Sequence, residues 1–64
     1  MFSVRDRLRH AYEEEVLVHL LLRSGTLRRC RIIEVGASSC IVKRGNGVIK
    51  AVSYGDLVGV LLVQ

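Results

Sequence analysis

A chain of 64 residues that is 50% hydrophobic, with no Pro or Trp and a formal charge of +4, has the makings of one small domain. The apolar content excludes disorder, and no part of the chain reads as a membrane span. Two cysteines outside any C-x-x-C pair, with no His at ligand spacing, speak against zinc or another metal. The basic excess, with a pI near 9.7, points to nucleic acid or another polyanion.

Residues 1–11 are charged throughout and lack the apolar stretch of a signal peptide, so the expected location is the cytoplasm. Ser3 offers an N-cap, and Val4, Leu8, Ala11 and Tyr12 recur at helical spacing. Arg5, Asp6, Arg9, His10 and Glu13 face away. This predicts a short amphipathic helix over residues 3–14, its narrow apolar stripe laid across another element. Arg5 and Arg9 stand one turn apart on its outer side, and Tyr12 is expected to pack with Leu8.

The period changes after Glu15. Residues 16–22, rich in Val and Leu, form a first strand candidate. Arg23-Ser24-Gly25-Thr26 is a turn in which Gly25 suits positive φ, and residues 27–35 form a second strand. The polar residues of this second strand shift phase. Arg29 and Arg31 share a face with Ile33 and Val35, while Cys30 and Ile32 share the other with Glu34. A bend or bulge near Ile32 resolves that conflict. After the turn Gly36-Ala37-Ser38 come a third strand at 39–43, an Asn46-Gly47 hairpin, a fourth strand at 48–52, the connector Ser53–Asp56 and a fifth strand at 57–63.

A helix followed by five short strands with tight turns predicts a mainly β fold, a strongly bent five-stranded antiparallel barrel at about 16–63 within a single domain spanning 1–64. A sheet that closes only partly leaves edges that invite pairing between subunits. Residues 57–63 sharpen this. They are apolar at every position, whereas a half-buried strand alternates, so one face suits the chain's own core and the other calls for a second copy.

The order of elements and several positions resemble those of the Sm-like proteins, the family that includes bacterial Hfq and the LSm proteins. Residues 20–43 resemble the first Sm motif: apolar residues lead into Ser24-Gly25, and Ile32 and Ile41-Val42 fall at the family's distances. Tyr54-Gly55-Asp56-Leu57-Val58 resembles the second motif, with Gly55 at its glycine and Val58 at its aliphatic. The chain departs from the family at Cys30, where a second Gly is usual, and at Gly36, where an acid is usual. It also departs at Ser38, where a base-stacking aromatic or His is common, at Cys40, often Asn, and at Tyr54, usually Arg.

The resemblance implies an Sm-like (SH3-like) barrel assembled into a homo-oligomeric ring of about five to seven subunits, the fourth strand of one pairing with the fifth of the next. RNA would lie around the pore, with bases against the turn between the second and third strands and the connector after the fourth. On the matching positions this assigns Ser38, Cys40, Tyr54 and Gly55 to RNA. It assigns Val48, Ile49, Val52, Leu57, Val58, Val60 and Leu62 to the subunit interface.

The residues add their own readings. Lys43, Arg44 and Lys50 surround the hairpin and would form a belt of charge for RNA in a ring, or simply solvate the loop. Tyr54 is the best stacking candidate, and equally suits packing on the helix or a neighbour. Arg28, Arg29 and Arg31 are the densest basic cluster, placed on a ring face, on a rim or against Glu13–Glu15 of a neighbour. Cys30 and Cys40 read as small core hydrophobes, with one internal disulfide as the other option. His19, inside an apolar strand, suits a core or interface rather than a ligand set. Asp56 suits closure of its connector.

No constellation for catalysis is present, and no cofactor is expected: paired carboxylates occur only in the helix run, and Gly45-Asn46-Gly47 lies in a hairpin rather than before a helix. The sequence therefore points away from an enzyme and toward an RNA-binding Sm-like ring acting as chaperone or scaffold for single-stranded RNA. The alternative is a structural or protein-interaction ring without base-specific RNA binding. A monomeric peptide-binding barrel is disfavoured by the uncovered face of 57–63 and by the few aromatics.

Overall fold

The computed structural model describes residues 3–63. Helix α1 (Val4–Glu14) precedes strands β1 (Leu17–Leu22), β2 (Gly25–Val35), β3 (Ser39–Lys43), β4 (Ile49–Ser53) and β5 (Leu57–Leu62). The expected mainly β fold, one N-terminal helix followed by five antiparallel strands, is present. The strands form one sheet in the order β4-β3-β2-β1-β5. The sheet is not closed: β4 and β5 each keep one edge without a strand partner.

The helix owes its boundaries to its caps. The Asp6 N–H donates to Ser3 Oγ at 3.2 Å, and the Ser3 N–H donates to Asp6 Oδ2 at 3.0 Å, a reciprocal capping box. The Ser3 backbone bond, then the Ser3 side chain, holds the Asp6 carboxyl below its ordinary range. At the other end Glu15 takes φ 55, the Val16 N–H donates to the Ala11 carbonyl at 3.1 Å and the Glu15 N–H to that of Tyr12 at 3.3 Å. This left-handed cap turns the chain into β1 within two residues. Leu8 and Ala11 enter the core, and α1 packs against β2 and β5. Tyr12 does not pack as its spacing suggested; it is 44% exposed, on the flank of the narrow stripe.

One cluster forms the core: Leu8 and Ala11 with Val18, Leu20, Leu27, Cys30, Ile32, Cys40, Val42, Val52 and Val60. Both cysteines are free thiols buried in it, which bears out their reading as core residues, and burial pushes both thiols up.

Three register shifts shape the sheet. Val18 pairs with Cys30 but Leu20 with Leu27, so His19 faces both Arg28 and Arg29. Ile32 pairs with Val42 but Glu34 with Ile41, which leaves Ile33 extra. Leu21 pairs with Gly59 but Leu22 with Leu57, which leaves Val58 extra. The Ile33 bulge is the one expected near Ile32, and it turns Glu34 to solvent. The Arg28–Arg29 bulge was not expected. Arg29 adopts φ 53, and its N–H donates to His19 Nδ1 at 3.2 Å. His19 is thus a half-buried support for the bulge.

The strands begin and end within two residues of expectation, and the shifts of β2 and β4 have a local cause. Strand β2 begins at Gly25, because Arg23-Ser24 alone makes the turn and Gly25, at φ 148, already pairs with Leu22. Strand β4 runs one residue later than expected, since Ser53 pairs with Ser39 while Val48 closes the hairpin by accepting the Arg44 N–H at 2.8 Å. Ser3→Ala should lower unfolding stability by about 1 kcal/mol in urea titrations, because the Asp6 N–H loses its acceptor.

Candidate functional site

The residues assigned to RNA separate into two places. At one end of the sheet the β2–β3 turn meets the β4–β5 connector, and Tyr54 joins them. Its N–H donates to the Ser38 carbonyl at 3.1 Å, and its hydroxyl donates to the Gly36 carbonyl at 2.7 Å. The ring packs against the core, and the Arg5 guanidinium lies 5.8 Å from its centroid. Burial raises the phenol above its ordinary range, and the neighbouring Arg5 and Arg9 oppose that rise. Arg5 therefore reaches back over Tyr54 rather than standing only on the helix's outer side.

Gly36 is required by this junction. A Cβ there would stand 2.9 Å from the Ser39 carbonyl oxygen, and the Gly36 N–H donates to that same oxygen. Ser38 and Gly55 are exposed beside Tyr54, with the Gly55 N–H donating to Ser53 Oγ at 3.3 Å. Asp56 ties the connector to the β1–β2 turn: its Oδ2 accepts from Ser24 Oγ at 2.9 Å and its carbonyl accepts from the Arg23 N–H. The assignment of Cys40 to a ligand fails on burial. It is 1% exposed, because it pairs across to Val52 on the core side of the sheet.

Lys43, Arg44 and Lys50 are exposed toward the β3–β4 hairpin. Four residue steps along β3 take the chain from Ser39 to Lys43, about 13 Å at strand rise, so this basic group is distinct from the Ser38–Tyr54 junction. The hairpin closes through the Gly47 N–H to the Arg44 carbonyl, with Gly47 at φ 87 and the Val48 N–H donating to Asn46 Oδ1.

The arginines of β2 part company. Arg31 pairs with Glu15 at 2.8 Å, the same chain's helix end rather than a neighbour's. Arg28 and Arg29 line a groove with Arg44 of the hairpin. Strict alternation grouped Arg29 with Arg31; the bulge instead brings two consecutive arginines to the same groove.

Among the assigned interface residues, Val48, Ile49, Val58 and Leu62 are 49–61% exposed along the two unpaired edges, and Leu57 is half-buried. Val52 and Val60, at 3% exposure each, face this chain's own core, so their side chains offer nothing to a neighbour. Leu61, half-exposed, belongs with the edge group and was missed, since a run apolar at every position gives no phase.

Among the described residues no His, Cys, Asp or Glu cluster could hold a metal, and no helix is long and apolar enough to cross a membrane. Compared with known proteins, the chain matches no family model and no curated protein. Tyr54→Phe should cost about 1 kcal/mol in denaturant unfolding, because the Gly36 carbonyl loses its donor. An unchanged midpoint would show that the hydroxyl does not join the two loops.

Proposed function

We propose that the protein is an Sm-like subunit that assembles into a homo-oligomeric ring and holds single-stranded RNA. The observation that carries the assembly is the pair of unpaired edges. Of the large apolar side chains exposed among the described residues, five lie along them: Val48 and Ile49 by β4, and Val58, Leu61 and Leu62 on β5. An unpaired strand exposes backbone donors and acceptors as well as these side chains, and both are satisfied when a β4 edge meets the β5 edge of the next copy. Because the two edges differ, each contact leaves another pair free, and the chain of contacts ends only when a ring closes.

RNA enters through charge. A formal +4 per subunit, repeated around a ring, gives a surface that attracts a polyanion. Exposed Ser38 and Gly55 beside Tyr54 add a surface where the turn and connector meet. Tyr54 itself favours the second reading, a ring without base-specific binding, since its hydroxyl is engaged by Gly36 and Arg5 lies over its ring. The ratio of absorbance at 260 and 280 nm after purification, and titration with short U-rich or A-rich RNA at low salt, separate the two readings.

The assembly has a directional test. Ile49→Lys spoils the β4 edge and Leu61→Lys the β5 edge. In native mass spectrometry the wild type should be a closed oligomer and each variant a monomer. Their mixture should give a one-to-one dimer and nothing larger, because each supplies the edge the other lacks. A monomeric wild type refutes the ring. Val60→Lys is a poor probe, since it places charge in the core of the subunit itself.

A further inference from the structure

The Arg28–Arg29 bulge and the β3–β4 hairpin enclose a groove of about 430 Å³ lined by Leu17, Arg28, Arg29, Arg44, Gly45 and Asn46. We propose that this groove binds phosphate groups of an RNA backbone, a contact made without reading bases and set apart from the Ser38–Tyr54 junction. It rests on the RNA reading given above.

Three observations carry it. First, three arginines from two separate elements line one groove. The guanidinium fork matches phosphate oxygens two at a time, so arginine suits this ligand better than a point charge would. Second, no carboxylate neutralises them: the one ion pair among the described residues uses Arg31 and Glu15. Third, Arg29 holds φ 53, a conformation in which glycine would sit without strain. An arginine kept in a strained position at the rim of a basic groove is the pattern of a binding residue, with His19 Nδ1 fixing its backbone.

The remaining lining suits a sugar–phosphate chain. Asn46 spends its Oδ1 on the Val48 N–H, which leaves its amide NH2 group as a further donor. Gly45 has open space where a Cβ would be, so the hairpin backbone is open to close approach. Leu17, half-buried, gives an apolar patch for the sugar carbons. Nothing in this lining distinguishes one base from another.

The test is fluorescence anisotropy with a labelled uridine decamer and with an abasic strand of equal length, at several salt concentrations, on the full chain. Arg28→Gln with Arg44→Gln should weaken both strands at least about tenfold. It should also flatten the dependence of log affinity on log salt by about 1.4, two phosphate contacts at about 0.7 each. Arg28→Lys with Arg44→Lys, which keeps the charge and loses the fork, should fall between. If the double glutamine variant does not fold by circular dichroism, Arg44→Gln alone in the exposed hairpin gives the same readout at half the slope change. Equal affinity and slope in wild type and variant overturn the proposal, as does binding of the decamer without the abasic strand. If the wild type binds neither strand, the RNA reading fails by itself. The groove is then judged with inorganic pyrophosphate by amide NMR: shifts centred on Arg28, Arg29 and Gly45 support a phosphate site, and their absence overturns it.

Discussion

Strand β2 must pair with β1 on one side and β3 on the other while lining one small core, and the rest of the molecule follows from how it does so. A regular strand of its 11 residues would alternate faces throughout. Instead its inward residues are Leu27, Cys30, Ile32 and Val35, with two gaps of three. Each gap is a bulge, and each lets the strand bend without turning a charge inward. The first gap contains Arg28 and Arg29; the second sends Ile33 and Glu34 outward. Without them Arg29 and Arg31 would compete with Cys30 and Ile32 for the core.

The bend also decides what remains uncovered. A sheet of five short strands curled around eleven buried residues stops short of closure. Its two edge strands are its last two in sequence, β4 and β5, and the apolar side chains that miss the core collect beside them. The helix covers β2 and β5 from one side and leaves those edges open. Small size and unpaired edges are thus one constraint seen twice: a chain this short has too little interior to use all the apolar residues it carries.

Much of the fold was legible because periodicity and turn chemistry act locally. Ser3, the Leu8–Ala11 stripe and the Asn46-Gly47 hairpin each announce their element within a few residues. The conflict of phase at Ile32 announced a bulge. The bulge at Arg28–Arg29 did not announce itself, because left-handed backbone is normally marked by Gly or Asn and here is held by an arginine on His19. The same gap hid the basic groove, which joins residues far apart in sequence. At β5 the difficulty was uniformity: in a run with no polar residue, nothing tells Val60 in the core from Leu61 at the edge. The meeting of Ser38 with Tyr54 was expected only through the resemblance to the Sm-like proteins, whereas the engagement of the Tyr54 hydroxyl by Gly36 depends on tertiary contact alone.

The two core cysteines make this sheet report on its own breathing. Cys30 and Cys40 are free, buried and held in the protonated form by their apolar surroundings, so a thiol reagent meets neither while the sheet is shut. Cys30 lies next to the β2 bulge, and Cys40 sits on β3 across from Val52 of β4. The rates at which each is alkylated would give separate opening free energies for the two halves of the sheet, taken from the native sequence without an added probe.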